Sequence, residues 1–246
     1  MRPGGFRGRE SAAPIVSLPV TRLLLASASP GRRSTLAAAG IDASVAVSGV
    51  DEDAVLAEAE QRFGALGPDA AVLVLARAKA EAVAYEHPDG PSEEDATARG
   101  TIVLGCDSML EHDGEALGKP ADAAQATARW QVMRGRSGTL HTGHWIVDCR
   151  EPVDGGTGAT LGATSSTIVH FANLTDDEIE AYVATGEPLA VAGAFTIDGL
   201  GGPFISGVEG DPHSVVGLSL PLLRDLLAEI GLTVMDLWRD GLTART

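Results

Sequence analysis

Leu23-Leu24-Leu25-Ala26-Ser27-Ala28-Ser29-Pro30-Gly31-Arg32-Arg33 is a short apolar run that ends in small hydroxyl residues, a proline and two arginines. The leucines read as a buried strand over 23–27. Ser29 has the chemistry of a helix N-cap, Pro30 suits the first helical position and Gly40 marks a stop. Strand, tight turn and helix in that order predict an α/β protein. A strand that feeds a helix N-terminus also aims unpaired N–H groups and a partial positive charge at one point, which suits an anion. An ordinary cap followed by two exposed arginines is the plainer alternative.

Working outward, a strand at 43–48 precedes the acidic run Asp51-Glu52-Asp53, which offers a metal ligand in Glu52 but reads more readily as a solvated loop. Residues 69–86 are helical, with Val72, Leu75, Ala76, Lys79 and Val83 on one face. Residues 87–100 read as an exposed loop. Thr101–Cys106 is a buried strand ending at Asp107, and Asp113-Gly114 signals a hairpin. A helix over 122–133, strands over 140–148 and 164–171, a capping box at Thr175–Glu178 and a last helix from about Pro221 to Gly231 complete the pattern. Helices alternate with strands, yet hairpins intervene. The expectation is a mixed central β-sheet flanked by helices, with two lobes around a cleft. Residues 21–240 read as a single domain, 1–20 as a loose extension or misplaced start without an export signal, and 241–246 as a tail.

The chain of 246 residues carries 18 basic against 34 acidic residues, a net charge of −16. That balance argues against nucleic acid and anionic membranes as partners. No apolar run is long enough to span a bilayer. Two cysteines, Cys106 and Cys149, fit a reducing cytoplasm, with room for one bridge at most. Lys79 and Lys119 are the only lysines. Lys79 lies on an apolar stripe, where a charge needs a partner or must snorkel. Lys119, in Gly118-Lys119-Pro120, is held between two residues that restrict the backbone, although surface turns carry such lysines too. Asp107, in Gly105-Cys106-Asp107-Ser108, stands at the carboxyl end of a strand, where ligands of open α/β sheets bind. An Asp there can hold Mg²⁺ or orient water, or simply cap a turn. His141 and His144 fall on opposite faces of a strand and make a poor metal pair. Gly199-Leu200-Gly201-Gly202 lacks the strand and helix context of a dinucleotide site.

Together these segments resemble the Maf family of nucleoside triphosphate pyrophosphatases from about Leu23 to Leu227. Leu25–Arg32 is similar to the family's LASxSPRR, Gly105–Ser108 to its GADT or GSDQ, Gly118–Pro120 to its GKP and Leu75–Ala80 to its LAxxKA. Tyr182, Gly186-Glu187, Ala192-Gly193, Gly199, Gly201, Gly210, Val215 and Gly217–Leu220 follow in order. The resemblance implies a cytoplasmic enzyme, related in fold to inosine-triphosphate pyrophosphatases. It would hydrolyse a nucleoside triphosphate to monophosphate and diphosphate with Mg²⁺ or Mn²⁺, in housekeeping removal of non-standard or excess nucleotides. It implies Asp107 as general base, Ser29, Arg32, Lys79 and Lys119 at the phosphates, and Glu52 near the metal. Asp107 is equally suited to be a second metal ligand. A homodimer is compatible with it. The alternative function is a nucleotide-binding regulator of septum formation with little turnover. Three positions depart from the pattern: Gly31 for a common Arg, Ser108 for Thr or Gln, and Asp198 for a common Gln. These bear on the base, through a wider pocket at Gly31 and more acceptors at Asp198, and point away from a strict thymidine or uridine preference.

Overall fold

A computed structural model describes residues 21–85 and 100–239. The expected extension over 1–20, most of the 87–100 loop and the tail at 241–246 lie outside these. The described elements run β1 (Arg22–Leu25), α1 (Pro30–Ala38), β2 (Ala43–Val45), α2 (Glu52–Phe63), α3 (Pro68–Tyr85), β3 (Thr101–His112), β4 (Glu115–Leu117), α4 (Ala123–Met133), β5 (Ser137–Asp148), β6 (Thr160–Phe171), α5 (Asp176–Ala184), β7 (Ile205–Glu209), α6 (Pro212–Val216) and α7 (Leu220–Glu229). The sheet order is β2-β1-β3-β5-β6-β7, with β4 paired to β3. β1 is parallel to β2 and β3, whereas β3, β5, β6 and β7 are antiparallel neighbours. The mixed α/β sheet is the one the sequence predicts.

After the exposed Arg22, β1 is apolar because it is covered on both faces. Leu23 and Leu25 join Leu36, Leu223 and Leu227 from α1 and α7, while Leu24 joins Ala80 and Val83 from α3. β3 divides its side chains the same way. Ile102, Leu104 and Cys106 face α1 and α7, and Val103 faces α3. Farther along, Leu110 belongs to another cluster built on Trp130, with Phe171, Ile179 and Tyr182 around it. Trp130 donates Nε1–H to the Ala194 carbonyl at 2.8 Å and meets Phe171 and Tyr182 edge-on. β3 therefore runs from one core into the other, and Asp107-Ser108 is the polar step between them.

β3 is also open at that step. On one edge it pairs with β1 as far as Leu104 and with β4 from Leu110 onward. Residues 105–109 have no strand on that edge among the described residues. The β3–β4 hairpin turns through Asp113 (φ 54°) and Gly114 (φ 81°), the conformation that Asp-Gly favours. Both cysteines are free, so no bridge forms. Burial pushes the Cys106 thiol up to about 12. No helix among the described residues is long and apolar enough to cross a membrane.

Candidate active site

α3 lies directly on the sheet because two positions beneath it have no side chain. A Cβ on Gly105 would stand 2.1 Å from the Ala76 carbonyl oxygen, and one on Gly143 would stand 2.2 Å from that of Val72. Only glycine admits a helix backbone this close. Along β3, Asp107 shares the face of Gly105, so its carboxylate points at the helix that Gly105 admits. Lys79 of α3 meets it there: Lys79 Nζ is 2.5 Å from Asp107 Oδ1 and 2.7 Å from Glu52 Oε1. Lys79 and Asp107 are 12% exposed in their side chains and Glu52 52%. The inward lysine is thus paired with carboxylates, as its place on an apolar stripe requires.

Glu52 corrects one local reading. The acidic run is the start of a helix, α2, with Asp51 as N-cap accepting from Ala54 N at 3.0 Å. Carboxylates in a first helical turn are favoured by the helix dipole. That signal, a capping Asp ahead of two acids, was available in the sequence.

Ser108 points to the opposite face, toward α1. Arg32 reaches it from there. The Arg32 guanidinium donates to Gly217 O at 2.7 Å, Ser27 Oγ at 2.8 Å and Ser108 Oγ at 3.1 Å. Ser108 Oγ lies 2.9 Å from Thr142 Oγ1, which donates to Ser214 O at 3.0 Å. Arg32 is 9% exposed, and three of its five N–H groups are engaged by protein. It ties the end of β1, the middle of β3 and the turn after α6 into one body. Thr142 and Ser214 were not singled out from sequence; their meeting with Arg32 and Ser108 depends on strand register, which no local pattern reveals.

Ser29 caps α1, accepting from Arg32 N at 3.4 Å. The α1 N-terminus therefore borders the open edge of β3 on the β1 side. Across the opening, β4 pairs Leu117 with Leu110, so Gly118-Lys119-Pro120 continues toward residues 105–109. The Gly118 carbonyl accepts from Arg129 Nη1 at 2.6 Å and Gly193 N at 3.1 Å, which pins the turn, and the Lys119 side chain is exposed.

Gly31 does not widen a pocket. A Cβ there would lie 3.0 Å from Val216 Cγ1, and Val216 fills the space. Asp198 is exposed and 3.8 Å from that Cβ position, at the rim of a cavity of about 260 Å³ lined also by Ser34, His213 and Leu220. Its loop is held by Glu187, which accepts from Tyr182 Oη at 3.0 Å, Thr196 Oγ1 at 2.5 Å, and Leu200 N and Gly201 N at 3.0 Å each. Burial opposes the Glu187 charge, but these bonds outweigh it and hold the carboxyl below its usual range. The Gly199–Gly202 stretch thus serves a carboxylate of the chain itself. The two histidines also have local partners. His144 Nδ1 donates to Thr142 O at 3.0 Å and its Nε2 accepts from Ser219 N at 2.7 Å, while His141 contacts Ser166 and Glu111. Burial holds His144 at about 4, neutral at ordinary pH.

Comparison with known proteins identifies relatives of the chain. A family model described as Maf-like protein matches residues 22–230. A protein of Salinispora tropica is 55% identical over 92% of this chain and 90% of its own, and one of Streptomyces coelicolor is 52% identical over 89% and 96%. One of Mycobacterium marinum is 49% identical over 90% and 99%. All three are named nucleoside triphosphate pyrophosphatase. With the match spanning both cores and every element that borders the β3 opening, the chain belongs to the Maf family.

Proposed function

We propose that the protein is a nucleoside triphosphate pyrophosphatase that adds water across the α–β anhydride and releases the monophosphate and diphosphate. The observation that carries the reading is Lys79 joined to both Asp107 and Glu52 at the bare edge of β3. The α1 N-terminus and Lys119 flank that edge, so phosphate-binding and water-activating groups share one opening. The relatives bear the name of an enzyme, which makes the nucleotide-binding regulator the less favoured reading.

Charge counting explains why a divalent cation belongs to the reaction. Lys79, Arg32 and Lys119 exceed Asp107 and Glu52 by only one charge, and a triphosphate brings about four negative charges. The donor set fits Mg²⁺ or Mn²⁺, because two hard carboxylates already converge on one cation. No group of three or more Asp, Glu, His or Cys among the described residues forms a closed cage. Mg²⁺ commonly takes one or two carboxylates and fills its remaining positions with water and substrate phosphate. When bound, the metal would supply charge neutralisation and an acidified water. In this reading Asp107 takes the proton of the attacking water or holds the metal, and Glu52 holds the metal. Lys79, Lys119 and Ser29 bind phosphate. Arg32 keeps Ser27 and Ser108 in place. Ser108 and Asp198 are the positions that set the base. The two free thiols suit a reducing cytoplasm.

The test is a nucleotide panel with Mg²⁺, resolved by chromatography. Equal amounts of monophosphate and diphosphate support the reading. Release of a nucleoside diphosphate and single phosphate, or no turnover of any triphosphate, refutes it.

A further inference from the structure

We propose that Lys79 is a resident counter-cation that keeps divalent metal off Glu52 and Asp107 until a phosphate chain arrives with it. The inference rests on the activity proposed above but concerns the order of binding.

The Lys79 ammonium stands 2.5 Å from Asp107 and 2.7 Å from Glu52. Mg²⁺ binds carboxylate oxygen at about 2.0–2.1 Å, so a metal on the same two oxygens needs the space the ammonium fills. The lysine cannot leave easily. Its side chain is 12% exposed and its helix is pressed against Gly105, with Ala76 and Ala80 on either side. A metal entering alone would meet a fixed positive charge within a few ångströms. A metal arriving on phosphate brings oxygens to which Lys79 can donate in place of the carboxylates, so the repulsion is offset as it appears. Metal and nucleotide then bind with positive cooperativity, and the coupling is reciprocal. Glu52 can follow the exchange, since α2 buries only Ala59.

The experiment is Mn²⁺ binding to the full chain without nucleotide, followed by electron paramagnetic resonance of the free ion. The expected result is weak binding to wild type, at least about tenfold tighter binding to Lys79→Met, and loss of that gain in Lys79→Met/Glu52→Gln. Melting curves establish that the variants are folded. Equal affinity in wild type and folded Lys79→Met overturns the proposal, as does a gain that survives Glu52→Gln. Should Lys79→Met not fold, wild type decides the matter. Its Mn²⁺ affinity must rise at least about tenfold with a saturating non-hydrolysable triphosphate, beyond the analogue's own affinity, and equal affinity with and without the analogue overturns the idea. No turnover is needed, so a failure here is distinct from a failure to release diphosphate.

Discussion

Gly105→Ala places a single methyl between β3 and α3. Its carbon would stand 2.1 Å from the Ala76 carbonyl oxygen, 2.8 Å from Ala80 N and 3.0 Å from Ala80 Cβ. Ordinary contact begins at 3.4 Å, so the helix must retreat by about 1.3 Å. Two of the three obstructing atoms are backbone, and no rotamer relieves them. Overpacking of this kind costs about 1–3 kcal/mol, and in a chain of this size each kcal/mol lowers Tm by about 2–4 °C. The same retreat carries Lys79 outward. Moved rigidly, its 2.5 Å contact with Asp107 stretches to about 3.8 Å, past hydrogen-bonding distance. A misplacement of about 1 Å costs on the order of 100-fold in rate. The assay is a melting curve together with diphosphate release at a temperature where the variant is fully folded. A Tm drop with a matching loss of kcat is expected. A variant that melts within about 2 °C of wild type and turns over within about threefold would refute the claim that this close approach positions the site.

Asp107→Asn keeps the shape of the side chain and removes its charge and basicity. Diphosphate release should fall by about 10²–10⁴-fold without loss of cooperative melting, and activity within tenfold of wild type would sink the assigned role. Glu187→Gln replaces an acceptor of four hydrogen bonds with a group that must also donate, and should cost about 1–2 kcal/mol at neutral pH after allowance for its partial exposure. Because the folded carboxyl sits below its usual 4.5, that stability is fully present above pH 4.5 and is lost as pH falls through the lower folded value. The wild-type advantage in Tm should therefore shrink on acidification, and a constant gap would contradict the assignment. Asp198→Gln should change the ranking of kcat/KM across dTTP, UTP, CTP, GTP and ATP, since an ionised Asp only accepts whereas Gln also donates. An unchanged ranking removes Asp198 from base selection.

The start of the fold was readable because its signals are local. The leucine run, Ser29, Pro30 and Gly40 act within a few residues of each other, and β1 and α1 fall where they indicate. The Asp113-Gly114 turn and the Thr175 capping box are likewise local and likewise present. β3 was read as ending at Cys106 but runs on to His112, because Asp107 and Ser108 look like a strand end when they are a polar step within one. β7 and α6 went unread, being short and held by neighbours distant in sequence. At the site, the apolar stripe around Lys79 implied an anionic partner, and Asp107 and Glu52 proved to be that partner. Gly31 misled for the opposite reason. A missing side chain suggests room, but only the packed structure shows that Val216 occupies it.

The long strand that joins the two cores also sets how the site breathes. β3 contributes to every hydrophobic cluster and pairs with β5 along nearly its whole length, so its amides bonded to β5 should exchange with solvent only when the whole domain opens. α2 buries a single alanine and belongs to the part of the molecule that opens first. Asp107 therefore rides on the slowest-exchanging segment and Glu52 on one of the fastest. The two carboxylates that share Lys79 should therefore differ in lifetime, Asp107 lasting as long as the fold and Glu52 only as long as the first turn of α2 stays closed.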